Sequence, residues 1–306
     1  LAAFHRAFHA RYSLGPPALW KEKLHFLHRY PTYVVRCQGC GAWYRNPALT
    51  ALGARRGYEA DPYGPGVLEL LRRRYRRQYR GAVGRLRRWV PKGARVLEVG
   101  SYAAAFLEAG RAAGWEVEGV DVGRDVVRYA RDLGLTVHLG DVRDLDLPLE
   151  DYDAVFVWHC FEQVPEHYGF LLRLRDLLRP GGLLVLRTPN AVYYGAALGR
   201  VRDGPAAERR RLAEHLAFNG LLPFPFARAY PPEGLRLLLT ACGFVDPRST
   251  GSASGAGTDP TYRPWARVRG ALLDRWAARR LRAAVPQGPA APWLEVTARR
   301  GRREPA

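Results

Sequence analysis

From Arg95 onward, apolar residues come in short unbroken runs, separated by stretches in which they recur every three or four positions. Unbroken runs of four to six read as strands buried on both faces, and the longer spacing reads as helices with one buried stripe. This pattern predicts strands over Arg95–Val99, Glu116–Val120, Thr136–Leu139, Ala154–Trp158 and Leu183–Arg187. Helices are predicted between them over Ala103–Ala113, Arg124–Leu133 and Tyr168–Leu178, with Gly114 and Gly134 as stops and Pro180-Gly181-Gly182 as a turn. Further on, a helix over Pro232–Ala241, a strand from Phe244 to about Arg248, a basic helix over Trp265–Ala284 and a last strand over Trp293–Ala298 complete the series. Alternation of this kind predicts a parallel sheet with helices on both faces and a ligand at the carboxyl ends of the strands.

The flanking regions read differently. Residues 1–60 have no long amphipathic period and carry turn signals at Gly15-Pro16-Pro17, Tyr30-Pro31 and Asn46-Pro47, so a small irregular or β-rich unit is expected. From Gly66 to Trp89 the positions Leu68, Leu71, Tyr75, Tyr79, Ala82 or Val83, Leu86 and Trp89 form one helical stripe. Residues 191–229 form an insertion with two helical stretches, Gly251–Pro260 reads as a flexible loop of small residues, and the tail from Arg299 is expected to be disordered. The resulting division is an N-terminal segment over 1–60, a capping helix over 61–91, a main domain over 92–299 and a tail over 300–306.

Composition narrows the classes. Nearly half of the 306 residues are hydrophobic, enough for a large core, yet no apolar run is long enough to cross a bilayer, and a cytoplasmic location is expected. The chain begins at Leu1 and has no Met, which leaves an upstream start open. Four cysteines do not make a disulfide framework. The net charge of +19 rests almost entirely on arginine, with lysine only at 21, 23 and 92, a bias that fits GC-rich coding as well as polyanion binding. Nine arginines between 72 and 88 fall mostly off the helical stripe; a solvated face is the expectation, and a phosphate-contacting surface is the alternative.

The chemistry concentrates in RVLEVGSYAAAF at 95–106 and WEVEGVDV at 115–122. A strand that turns tightly into a helix leaves backbone N–H groups free for a carboxylate or phosphate. Asp121 at the next strand tip suits both hydroxyls of a ribose, which serves NAD or S-adenosylmethionine equally. Against NAD, Ser101, Tyr102 and Ala103 follow Gly100 in place of a full Gly-x-Gly-x-x-Gly. Gly140-Asp141-Val142 places a carboxylate for an adenine edge, and YDAVFVWHCFEQVPEH at 152–167 leads into LLRPGGLLVLRTPN at 177–190.

Together these segments resemble the ordered motifs of class I S-adenosylmethionine-dependent methyltransferases, strongly over about 92–190 and weakly from Tyr230 to Phe244. The resemblance implies a Rossmann-like, doubly wound α/β fold with a seven-stranded, mostly parallel sheet. It also implies roles for Glu98, Gly100, Ser101 and Tyr102 in the cofactor loop, Asp121 and Val122 at ribose and adenine, Asp141 and Val142 at the adenine edge, and Trp158 near the methionine end. The family's loop carries two further glycines where this chain has Tyr102 and Ala104. His159, directly after the fourth strand, is the first candidate for a general base, with a purely hydrogen-bonding role as the competing reading; Glu162 would share its face if a helical turn starts there. Where ubiquinone-type relatives carry Glu-x-x-Glu-His, this chain has His159, Glu162 and Gln163, a poor metal set. His167, His215, Tyr193, Tyr194 and Asn190 are later candidates for substrate contact.

VRCQGCGAWYRNP at 35–47 resembles the second knuckle of a zinc ribbon, giving an N-terminal ribbon-like appendage with Cys37 and Cys40 as candidate zinc ligands. A closed site needs four, and the first pair is missing near residues 16–21; His25 and His28, or His5 and His9, are the remaining options. A hairpin that keeps its shape without metal is the expectation. The expected function is methyl transfer from S-adenosylmethionine to a small molecule: a sugar, glycan or secondary-metabolite nucleophile. An RNA- or ribosome-associated protein and a cofactor-free scaffold are the alternatives.

Overall fold

The computed structural model describes residues 2–13, 33–48, 50, 53, 65–222, 226–252, 262–285 and 288–302. They fall into two compact units, one formed by 1–48, 188–234 and 249–295, the other by 49–187, 235–248 and 296–306.

The second unit is built on a seven-stranded sheet in the order β5-β4-β3-β6-β7-β10-β9. Its strands are β3 (Arg95–Val99), β4 (Glu116–Asp121), β5 (Thr136–Leu139), β6 (Tyr152–Trp158), β7 (Leu178–Pro189), β9 (Phe244–Ser252) and β10 (Trp293–Arg300). Helices α2 (Pro65–Leu86), α3 (Ala105–Ala112), α4 (Arg124–Asp132), α5 (His167–Leu177) and α8 (Pro232–Ala241) connect or cover them. β3 pairs in parallel with β4 on one side and β6 on the other, and β4–β5 and β6–β7 are parallel too. Strand order therefore reverses beside β3, which opens a crevice at the carboxyl ends of β3 and β6.

The unbroken apolar runs have their cause in burial on both faces. Val96, Ala154, Phe156, Leu183 and Val185 pack with Phe106, Ala109, Ala82, Val83 and Leu86. Alternation along a strand sends Leu97, Val155, Val157, Leu184 and Leu186 to the other face, where they are equally buried. The turn at Pro180-Gly181-Gly182 is absorbed into β7 as an irregularity: Tyr152 pairs with Leu178, but Ala154 pairs with Leu183. Two residues on β6 thus face five on β7, and the surplus three are looped out. The tail behaves differently from the expectation, because β10 continues to Arg300, whose guanidinium donates to the Leu178 carbonyl and to Glu150 at 2.5 Å each.

On α2 the predicted stripe holds through Leu86, with Leu68, Leu71, Ala82, Val83 and Leu86 buried. Trp89 lies beyond the helix and is 39% exposed, with the Arg88 guanidinium 3.9 Å from its ring centre. Seven of the nine arginines are exposed; Arg72 and Arg74 are partly buried. Arg72 donates to Glu69 at 2.9 Å and to Glu108 at 2.7 Å, and Tyr129 of α4 donates to Glu69 at 2.6 Å. Glu69 thereby links α2 to α4. Hydrogen bonds from Arg72, Tyr129 and Arg73 lower its pKa from 4.5 to about 2. A carboxylate depressed on folding stabilises above its unfolded pKa, and that stabilisation is lost as pH falls from about 4.5 toward 2. Thermal melts over this range should fall less steeply for Glu69→Gln than for the parent chain. The expected difference is about 0.5–1 kcal/mol, as for a part-exposed ion pair.

The first unit contains α1 (Ala2–Tyr12), α6 (Ala191–Asp203), α7 (Ala206–Phe218), α9 (Pro264–Leu281) and a three-stranded sheet of β1 (Tyr33–Arg36), β2 (Trp43–Asn46) and β8 (Arg228–Ala229). β1 and β2 form the antiparallel hairpin expected of the ribbon segment. The helix α1 was not legible in the pattern. Its aromatic residues at four-residue steps are tertiary contacts: Phe8 meets Phe218 edge-on at 4.8 Å, and Tyr12 lies 5.2 Å from Phe218 and 5.3 Å from Trp265. Among the described residues no helix is long and apolar enough to cross a membrane.

Candidate active site

The loop after β3 is stitched to β4 through one carbonyl. Val120 O accepts from Gly100 N–H at 2.8 Å, Ser101 N–H at 3.3 Å and the Ser101 hydroxyl at 3.1 Å. The Ser101 side chain is thereby committed to the fold. Gly100 has φ of 81°, and a Cβ there would lie 2.8 Å from Cys160 Cβ and 2.9 Å from its Sγ. Only glycine fits, because Cys160 fills the space beside it.

The two positions where this chain departs from glycine keep glycine's backbone. Tyr102 has φ of 44° and Ala104 has φ of 58°. Left-handed geometry costs about 1–2 kcal/mol for a residue with a Cβ, so other contacts must hold the loop. Tyr102 N–H donates to Asp121 Oδ2 at 2.9 Å, and Ala104 is fully buried against Leu107, Val127 and Ala130. The same geometry delays α3, which starts at Ala105 where the pattern predicts Ala103. No side chain caps its first turn. Gly100→Ala should therefore cost about 2–4 kcal/mol, from left-handed strain plus overpacking. Urea unfolding of Gly100→Ala and of Gly100→Ala with Cys160→Gly measures this; the second change should recover the steric part.

Four carboxyls converge beside this loop. Asp121 accepts from Tyr102 N–H and, through Oδ1, from Gly123 N–H at 2.8 Å. Burial raises its pKa, and the backbone donors of Gly123, Tyr102 and Val122 pull it partly back. Glu98 is 2% exposed; burial and the nearby Asp121 push its pKa well above the usual carboxylate range, and its Oε2 has no hydrogen-bond partner among the described residues. Asp141 is clamped by Arg143, with contacts of 2.9 Å from Nε, 2.6 Å from Nη2 and 3.0 Å from the backbone N–H. Burial raises the Cys160 thiol, and Glu162, Asp121, Asp141 and Glu98 raise it further. Acids from four chain segments thus act on one thiol.

The end of β6 carries the remaining candidates. Trp158 turns its ring into the core, 5.6 Å from Phe106, 5.9 Å from Tyr79 and stacked 6.0 Å from Phe156, while its indole N–H has no hydrogen-bond partner among the described residues. Val142 is buried and Val122 half-buried. His159 is half-buried and left-handed, with φ of 51°. The helical turn anticipated from His159 begins later, as a 3-10 turn over Phe161–Gln163 on which Glu162 is buried. Among the described residues no group of three potential metal ligands forms.

The later candidates have structural employment. His167 bonds to the Phe161 carbonyl at 2.7 Å and stacks on that ring at 4.1 Å. In the first unit His215 bridges the Tyr193 hydroxyl, at 2.7 Å, and Asp274, at 3.1 Å. Asn190 caps α6, and Tyr194 packs edge-on against Trp43. Cys37 and Cys40 are free thiols on the β1–β2 turn, where backbone N–H groups of Cys40 and Gly39 lower the Cys37 pKa. His9 bonds to Ser13 at 2.9 Å, whereas His25, His28 and the His5 side chain lie outside the described residues. Sequence reasoning missed Cys160 and Gly123, which shape and hold the site through contacts with Gly100 and Asp121. A short side chain after a strand and the glycine after Asp121 were the only local signals.

Residues 71–246 match a family model described as a methyltransferase domain. The chain belongs to this family. Its domain is accordingly of the S-adenosylmethionine-dependent methyltransferase kind. Trans-aconitate 2-methyltransferase of Mycolicibacterium gilvum is 34% identical over 130 residues, covering 42% of this chain and 48% of the relative. Ubiquinone biosynthesis O-methyltransferase of Xanthomonas axonopodis pv. citri is 32% identical over 118 residues, covering 36% and 49%. The chain spans about half the length of the curated relatives it matches. A SAM dependent methyltransferase from Archaeoglobus fulgidus aligns over 74% of this chain and 94% of its own at 17% identity, with a TM-score of 0.48.

Proposed function

We propose that this methyltransferase domain transfers a methyl group from S-adenosylmethionine to a small-molecule acceptor, an oxygen or carbon nucleophile on a sugar, glycan or secondary metabolite. The observation that carries the cofactor is the Asp121 carboxylate, held beside the Gly100 loop by the N–H groups of Tyr102 and Gly123, together with the buried Glu98 on the neighbouring strand. The bound cofactor would supply an electrophilic methyl on a sulfonium; the chain's own residues bind and align.

The residues present fit that group. An amino-acid end needs a buried acceptor for its ammonium and donors for its carboxylate. Among the described residues Glu98 Oε2 and the Trp158 indole N–H are buried without partners, and the first N–H groups of α3 lack a side-chain cap. Asp121 uses its two oxygens on Tyr102 and Gly123, and the remaining lone pairs suit two ribose hydroxyls. Asp141, with three donors from Arg143, keeps acceptor capacity for an adenine amino group between Val122 and Val142. His159 would accept the proton leaving the nucleophile, and its strained backbone beside the loop supports that role. The two curated relatives, a trans-aconitate 2-methyltransferase and a ubiquinone biosynthesis O-methyltransferase, support the acceptor class.

Calorimetry with S-adenosylmethionine and its demethylated product tests the reading. Micromolar binding of both is expected, and no heat at millimolar concentration would overturn it. The exposed arginines of α2 favour RNA as the competing partner. That reading requires RNA binding that weakens steeply with salt and is lost on replacing Arg76, Arg77 and Arg80.

A further inference from the structure

The first unit contains a groove of about 600 Å³ along α1, α6 and α7. One wall is the aromatic stripe Phe4, Phe8 and Tyr12. Eight residues of helix give that stripe a length of about 12 Å, close to an extended chain of about ten carbons. Phe8 and Tyr12 are buried and form a floor, while Ala206 and Ala213 of α7 line the groove with side chains too short to fill it.

Charge distinguishes this groove from an ordinary gap between helices. Arg11, Arg209 and Arg210 all line it, and the one carboxylate among its described lining residues, Glu214, is buried and already engaged by Arg210 and by Arg269. Arg11 and Arg209 make no ion pair among the described residues; Arg11 lies 5.5 Å from the Tyr12 ring centre. An apolar trough with unpaired cations on its edges complements a molecule with the opposite arrangement. A neutral alkane leaves the arginines unmatched, and a polyanion with no apolar segment leaves the aromatic floor uncovered.

We infer that this groove is a binding site for an amphipathic anion, an unbranched alkyl chain of about ten carbons ending in one carboxylate. The chain lies on Phe4, Phe8 and Tyr12, and the carboxylate is held by Arg11 and Arg209. This site is contained in the first unit and does not depend on the methyl-transfer reading.

Titration calorimetry of the full chain with decanoate, octanoate and decyltrimethylammonium tests it. Decanoate should bind with a submillimolar Kd and octanoate about fifteenfold more weakly, since each of the two methylenes it lacks contributes about fourfold. Decyltrimethylammonium, with the same tail and opposite charge, should show no saturable binding. The double variant Arg11→Glu, Arg209→Glu should weaken decanoate by about tenfold or more. Ala213→Trp and Ala206→Leu fill the groove from two positions and should each reduce binding, with circular dichroism to check the fold; if one fails to fold, the other decides. Equal binding of decanoate and decyltrimethylammonium, parent-like binding by a folded groove-filling variant, or no heat at several millimolar decanoate would overturn the inference.

Discussion

His159→Gly is expected to lower turnover by about 10²–10⁴-fold, the range for loss of a general base, while leaving affinity for the demethylated cofactor product unchanged. Glycine is the informative replacement because His159 has φ of 51°. Glycine adopts that backbone without strain, so the variant should unfold at the same urea concentration as the parent chain or a higher one. A turnover loss therefore cannot be assigned to misfolding. The void left behind admits a free base, and added imidazole should restore part of the activity if the ring acts as proton acceptor. Full turnover in the variant would exclude the role; a loss that imidazole does not rescue would point to a hydrogen-bonding one.

Asp121→Ala should raise the Kd for cofactor by about 100-fold or more, because the change acts twice. It removes the acceptor offered to the ribose. It also leaves the N–H groups of Tyr102 and Gly123, donors at 2.9 and 2.8 Å, without their partner. An orphaned donor costs about 1–3 kcal/mol, and here that cost falls on a loop already holding two left-handed residues. Asp121→Asn separates the effects: its amide oxygen can still accept from one N–H, so stability should be largely kept while cofactor affinity falls. Calorimetry beside urea unfolding reads both quantities on each variant. Unchanged affinity in Asp121→Ala would remove the ribose assignment.

The strain in the cofactor loop bears on how such a site evolves. Tyr102 and Ala104 show that the turn does not require glycine, provided that Asp121 and the packing under α3 hold the backbone in place. At Gly100 the requirement is stronger and has a different cause, since the Cys160 side chain stands where a Cβ would go. A sequence rule that treats all loop glycines alike misjudges both cases.

What the sequence determined by itself was local. The unbroken apolar runs of β3, β6 and β7 and the spaced stripes of α2 and α5 are set by residues within a few positions of one another. Element type and order in the second unit could therefore be read directly, as could Glu98, Asp121 and Asp141 at consecutive strand tips. The tertiary structure decided the rest. The helix α1 has a weak pattern of its own and owes its place to contacts with Phe218 and Trp265, more than two hundred residues away. The β1–β2–β8 sheet depends on pairing across a similar separation. At the site, the clash that reserves Gly100 comes from Cys160, the pKa of Glu98 is raised by burial and by Asp121, and the left-handed turns at Tyr102, Ala104 and His159 are imposed by surroundings that no local preference encodes. Propensity and periodicity act along the chain, whereas steric exclusion, desolvation and backbone strain arise only when distant segments are brought together.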